Sequence, residues 1–232
     1  MLEELLPGSH VVQLQCSHGA DALGLLNAGA ASVVGVDNSS EMISQAEAKA
    51  AAVGAQSASF LRSDVTSLPT ELDGTADLIY TGRGSLPWIL DLPAWADSVR
   101  RILKPRGHIF IFEGHPLASL WNRDAESLEL RTDASYFDDE PAEDPGFPAD
   151  VVQREVGDGR PRMLERHRRP GEVMEVLISA GLDINLFREY PVVFWNQFPS
   201  WSGELKARLP NSYAILAERR EDHEVGSAQD QL

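Results

Sequence analysis

The 232-residue sequence predicts an α/β fold: a Rossmann-like, doubly wound, mostly parallel seven-stranded sheet with an antiparallel last strand and an insertion after strand five. Three observations carry this. Short apolar runs alternate with longer amphipathic stretches from residue 10 to residue 116, as in parallel strands joined by crossover helices. The first run ends in a small-residue turn at Gly19 before an Ala/Leu-rich stretch, and the second, residues 33–36, ends on the acid Asp37. Leu103-Lys104-Pro105-Arg106-Gly107 closes an amphipathic stretch with Pro and Gly, as a helix-to-strand turn does.

Taken in order, strands are expected at 11–14, 32–36, 57–61, 76–80 and 108–113, with helices at 20–28, 40–53 and 92–103. The alternation lapses from 117 to 160, where ten acids fall between Asp124 and Asp150 among Pro141, Pro145 and Pro148. An irregular segment this long in a compact domain is a functional insertion or partly disordered. Its Trp121, Tyr136, Phe137 and Phe147 predict that parts of it pack down. A helix at 171–180, closed by Gly181, precedes strands at 183–190 and 212–217. Residues 1–218 are therefore expected to form one domain, and the polar residues 219–232 a flexible tail.

Composition narrows the function classes. Acidic residues outnumber basic ones 36 to 20, for a net charge of −16, which repels phosphate backbones and argues against a nucleic-acid partner. The one basic cluster, with Arg162, Arg166, Arg168 and Arg169, reads as a solvated face or a counter-charge for the acids upstream. A single cysteine, Cys16, excludes an internal disulfide and a Cys-based zinc cluster, and no metal site is expected. No stretch is long and apolar enough for a membrane span, and the first ten residues lack a signal-peptide pattern. The expectation is a cytoplasmic protein, monomer or homodimer, with a small-molecule partner and no membrane.

Three consecutive strands end in chemistry-bearing residues: Gln15-Cys16-Ser17, Asp37, and Ser63-Asp64-Val65. Singly, each has a bland explanation, Gly19 for tight packing and Asp37 as a helix N-cap before Ser39 and Ser40. Together they fall on the carboxyl edge of the sheet, where such folds bind ligands. An acid after the second strand can take both ribose hydroxyls, and an acid after the third an adenine amine, with the Asp64–Val65 backbone reading the ring edge. This is an adenosine-binding arrangement.

The residues V-V-Q-L-Q-C-S-H-G (11–19), V-V-G-V-D-N-S-S-E-M-I (33–43), F-L-R-S-D-V (60–65), D-L-I-Y-T-G-R-G-S-L (77–86) and L-K-P-R-G-H-I-F-I-F-E-G-H-P (103–116) resemble the class I S-adenosylmethionine-dependent methyltransferases. The similarity is greatest to a bacterial subgroup with L-Q-C-x-x-G in place of the usual L-G-C-G-x-G. It spans roughly residues 8–218. The resemblance implies S-adenosyl-L-methionine as cofactor. It places the methionine end over Gln15, Cys16, Ser17 and Gly19, the ribose on Asp37 beside Asn38, and the adenine on Met42, Asp64 and Val65. Thr81 and Gly82 then line the sulfonium side. Family members usually carry an acid where Gln13 stands, and a helical lid ahead of the first strand. Here nine residues precede that strand, so the insertion 117–160 is the lid candidate.

Methyl transfer needs alignment, exclusion of water and, for an O–H or N–H acceptor, removal of a proton. The base candidate is His115, past the fifth strand beside Glu113, since an imidazole titrates near neutrality. Its alternative role is a loop cap, with Pro116 fixing the turn. His18 is expected to cap the helix after Gly19, and Cys16 to be a buried small side chain. Trp95 reads as core. Phe194, Trp195, Phe198 and Trp201 read as a pocket wall or interface. The function expected is methyl transfer to an O or N atom of a small molecule. A non-catalytic binder of the cofactor or its product is the alternative. A nicotinamide-dependent oxidoreductase comes third, because only Gly19 stands where such enzymes want three glycines.

Overall fold

The computed structural model describes residues 2–143 and 164–221. The chain opens with one helical turn, α1 (Leu2–Leu5), and then runs β1 (His10–Leu14), α2 (Ala20–Asn27), β2 (Ser32–Asp37), α3 (Ser40–Val53), β3 (Ala58–Arg62), β4 (Ala76–Gly82), α4 (Leu92–Ile102) and β5 (Leu103–Gly114). A two-residue pair follows, β6 (Ala142–Glu143) with β7 (Leu164–Glu165), and then α5 (Pro170–Ser179), β8 (Leu182–Tyr190), α6 (Gly203–Lys206) and β9 (Ser212–Arg219). The main sheet has seven strands in the order β3-β2-β1-β4-β5-β9-β8. β1 to β5 are parallel, and β9 enters antiparallel between β5 and β8. The doubly wound sheet, its antiparallel last strand and the position of the insertion are as the sequence predicts.

Local chemistry explains the elements. Ser39 caps α3 by accepting from the Met42 N–H, and Gly54 ends it in the left-handed region at φ 67°. Asp91 caps α4 through the Ala94 N–H, and Arg100 and Arg101 sit in the last turn, where cations suit the helix dipole. Leu92, Trp95, Ala96, Val99 and Ile102 recur at helical spacing and are all buried. Each large side chain so buried contributes about 1.5–3 kcal/mol. They join Val12, Leu14, Ile79, Ile109 and Ile111 on one face of the sheet, together with Val173 and Leu177 of α5. A second cluster covers the other face with Leu6, Ala22 and Leu25 against Val11, Leu78 and Phe110.

Several boundaries differ from expectation. α4 stops at Ile102, because the backbone is already extended at Leu103 and Pro105 disfavours a helical residue before it. Residues 103–107 belong to β5, paired at Ala76↔Leu103 with a register shift, so the expected turn is a bend within the strand. β4 runs on to Gly82, making Thr81 and Gly82 strand residues. Among the described residues, no helix is long and apolar enough to cross a membrane. Of the expected tail, Arg219 ends β9 and residues 222–232 lie outside the described residues, as does much of the insertion, with Phe147, Pro145, Pro148 and Arg162.

Candidate functional site

The β1–α2 loop carries a backbone normally built from glycine. Gln15 (φ 54°), Ser17 (φ 47°) and Gly19 (φ 75°) are all left-handed. For the two non-glycine residues this costs about 1–2 kcal/mol each. Gly19 cannot be replaced: a Cβ would lie 2.7 Å from the Ala46 Cβ and 2.9 Å from the Phe60 ring. Cys16 is 3 % exposed, and burial, with the Asp37 charge second, pushes its thiol up to about 12. It is a packing residue, as expected. His18 is exposed and does not cap α2, since Gly19 holds the N-cap position without a side-chain bond. The His18 carbonyl instead accepts from Lys49 Nζ at 3.2 Å.

Asp37 is not the N-cap of α3. Its carboxylate bridges two loops, Oδ2 accepting from the Ser17 N–H and Oδ1 from the Ser39 N–H, both at 2.9 Å. Each oxygen keeps a further lone pair directed away from these bonds. Met42 reaches back to the same loop, with the Ser17 hydroxyl 3.5 Å from its sulfur. Asn38 is exposed, and its carbonyl accepts from Arg62 Nε at 3.1 Å. Asp64 turns the chain after β3, its Oδ1 taking the Thr66 N–H (2.8 Å) and hydroxyl (2.7 Å) while Oδ2 takes neither. Val65 is buried in the larger core cluster, which anchors this turn.

The ends of β4 and β5 are locked together. Thr81 is buried and shares a 2.9 Å hydrogen bond with the Ser85 hydroxyl. Gly82 has φ 146°, and a Cβ there would fall 1.9 Å from the Phe112 carbonyl oxygen. Glu113, 3 % exposed, accepts from the Gly84, Ser85, Leu86 and Gly114 N–H groups at 2.5 to 3.0 Å. Burial raises its carboxyl above the usual range, and these four donors oppose that rise. The sequence places Glu113 in the 103–116 stretch and beside His115 but gives it no role of its own. An acid closing an otherwise apolar strand was the available signal.

Gln15 Nε2 donates to the Ser85 carbonyl at 2.8 Å, so the β1 and β4 ends are joined across the crevice. Gln13, 4 % exposed within β1, and Gln15 each keep a buried carbonyl Oε1 with no hydrogen-bond partner. A buried acceptor left so costs about 1–3 kcal/mol.

His115 is buried beside Tyr213, with both ring nitrogens engaged. Nδ1 accepts from the Leu117 N–H at 3.2 Å, and Nε2 stands 3.1 Å from Glu189. Nδ1 as acceptor fixes the neutral tautomer with its proton on Nε2. Burial lowers its pKa, and Glu189 pulls the other way. As a base it would first have to release one of these bonds.

The described parts of the insertion pack against the 191–211 connection and the arginine cluster. Trp201 stacks on Phe198 at 4.0 Å, meets Trp121 edge-on and donates Nε1–H to the Ala125 carbonyl. Phe194 packs on Phe112, whereas Trp195 is 47 % exposed. Of the two roles expected of the arginine cluster, a solvated face or a counter-charge, its described members show the counter-charge. Arg166 and Arg169 pair with Asp139 at 2.8 and 2.7 Å, holding its carboxyl down at about 2, and Arg168 pairs with Glu172 at 2.9 Å.

Residues 11–107 match the family model described as a methyltransferase domain. No curated protein matches the chain in sequence. A proposed S-adenosylmethionine-dependent methyltransferase of Listeria monocytogenes superimposes with a TM-score of 0.70 at 18 % identity, over 95 % of this chain and 96 % of that one. A S-adenosylmethionine-dependent methyltransferase of Mesorhizobium loti gives 0.67 at 22 % identity, over 94 % and 95 %. The [4+2]-cyclase SpnF gives 0.60 at 19 % identity, over 95 % of this chain and 80 % of that one. At such identities the likeness establishes the methyltransferase fold.

Proposed function

We propose that the chain is a S-adenosylmethionine-dependent methyltransferase acting on an oxygen or nitrogen atom of a small molecule. One observation carries this: Asp37, Asp64 and the Gln15–Gly19 loop follow three adjacent strands at one sheet edge, in a chain with the methyltransferase fold. Asp37 takes the ribose hydroxyls on the lone pairs that Ser17 and Ser39 leave available, with Asn38 alongside. Asp64 receives the adenine amine on Oδ2, Val65 offers its backbone to the ring edge, and Met42 packs on the ring. Thr81 and Gly82, held by the β5 contacts, line the sulfonium side. Bound S-adenosylmethionine would supply a methyl carbon already activated by positive sulfur. The residues here orient it and exclude water, with the insertion as lid. The net charge of −16 supports a small-molecule acceptor over nucleic acid.

Calorimetry with S-adenosylhomocysteine tests the reading. Micromolar binding that Asp37→Ala abolishes is the expected result; no heat at high micromolar ligand sinks it, and NAD(H) binding in its place would mark an oxidoreductase. A fold that also hosts a cyclase does not fix the reaction, so transfer of a labelled methyl group must be followed separately. The engaged ring of His115 favours a second reading, a non-catalytic binder. His115→Ala that binds normally but turns over slowly assigns the base; unchanged turnover leaves His115 a loop cap.

A further inference from the structure

Two glycines stand at the carboxyl ends of adjacent strands, and an aromatic ring lies against each. A Cβ on Gly114, the last residue of β5, would lie 3.5 Å from the Phe194 ring. A Cβ on Gly84, just beyond the end of β4, would lie 3.8 Å from the Trp195 indole nitrogen. Residues 194–195 thus cross the ends of β5 and β4 in turn. Phe194 rests on Phe112 with ring centroids 5.8 Å apart, and Trp195 meets Phe194 edge-on at 6.2 Å. The Gln197 N–H donates to the Trp195 carbonyl at 2.8 Å and turns the backbone there. The indole is therefore held in place, yet it is 47 % exposed. Trp95 and Trp201 are buried, and Trp88 and Trp121 half-buried. Trp195 alone of the five keeps an open ring, and it does so beside the strand end where Thr81 and Gly82 stand.

We propose that Trp195 is the platform for the methyl acceptor, and that the acceptor is a planar aromatic ring carrying the hydroxyl or amine to be methylated; this rests on the cofactor reading above. A fixed indole offers a flat π face, on which a second ring stacks and a puckered saturated ring does not. Its two side-chain torsions are already limited by Phe194, so little freedom is lost on binding. The net charge of −16 favours a neutral ring over an anionic one. In the transfer, a lone pair of the acceptor oxygen or nitrogen forms the bond to the methyl carbon as the C–S bond breaks. The C–S electrons stay on sulfur, leaving neutral S-adenosylhomocysteine, and the acceptor's proton passes to solvent.

The test is calorimetry on the full chain saturated with S-adenosylhomocysteine. The probes are naphthol and its fully hydrogenated counterpart decahydronaphthol, which keeps the hydroxyl and the fused rings but is neither planar nor aromatic. The unsubstituted protein is expected to bind naphthol about tenfold more tightly than decahydronaphthol. Trp195→Leu, apolar but without a π face, should abolish that preference, and Trp195→Phe should retain most of it. Equal binding of the two probes, no binding of naphthol, or a preference that survives Trp195→Leu each overturns the platform. Loss of S-adenosylhomocysteine itself in Trp195→Leu would make the indole a cofactor contact and overturn it too. If the unsubstituted protein does not bind S-adenosylhomocysteine, the cofactor reading fails and the platform with it.

Discussion

Gly82 shows how little freedom single positions have at this edge. Its φ of 146° and a Cβ position 1.9 Å from the Phe112 oxygen mean that alanine there must push β4 away from β5. Gly82→Ala is expected to cost about 3 kcal/mol or more, read from the urea midpoint, with loss of ligand binding because Thr81 moves too. A Gly82→Ala protein of unchanged midpoint would show that the strand ends are not locked. His115 gives a prediction in pH. Burial holds its folded pKa below the usual value despite Glu189, and Tyr213 packs against the ring. The unfolded chain therefore takes up this proton first, at about 6.5. Stability from the neutral ring is full above that pH and falls as pH drops toward the folded value. His115→Gln should flatten that part of the stability profile, so an unchanged slope below pH 6.5 would place the titration elsewhere. These residues differ in what the sequence disclosed. Asp37 and Asp64 were legible because acids follow apolar strands. The His115 bond to Leu117 is the loop-cap role the sequence offers, whereas the one to Glu189 was hidden, because that residue meets the ring only in the fold.

At the scale of elements, β5 organises β4 through one side chain. Glu113 gathers the N–H groups of Gly84, Ser85 and Leu86, so the loop beyond Gly82 keeps its course without regular structure. Glu113→Gln replaces one acceptor oxygen with an NH2 group facing backbone donors. The expected loss is about 2–3 kcal/mol, with faster amide exchange at residues 84–86 than elsewhere in the molecule. Uniform exchange would refute a local clamp. Periodicity disclosed most elements, α3 with both ends in place and α4 within one residue. What it left out follows from pairing. β5 begins at Leu103 because Ala76 of β4 is there to receive it, and no local pattern distinguishes an extended Lys104-Pro105 from a turn. Gln15 and Ser17 in left-handed conformations were equally hidden, since neither residue type announces a positive φ.

Across the whole molecule, the chain's second half adds layers that pack on one another and on the β4–α4 connection. The 191–211 connection and the insertion meet through Phe198, Trp201 and Trp121, and residues 164–169 return over the β4–α4 connection. Arg168 is the tie between these layers. Its side chain is 1 % exposed, donates to the Ile89 and Leu90 carbonyls and pairs with Glu172, the first-turn acid of α5. Removing it leaves the Ile89 and Leu90 carbonyls short of that donor, while Glu172 keeps Arg166 at 2.9 Å. Arg168→Met keeps the stem's packing and deletes only the charge and its bonds. The variant is expected to lose about 1–3 kcal/mol, the cost of carbonyls left without their donor. Exchange should quicken at residues 88–91 and 172–173 together, because one guanidinium serves both. If the β4–α4 connection loosens while the start of α5 stays protected, the two layers are held independently.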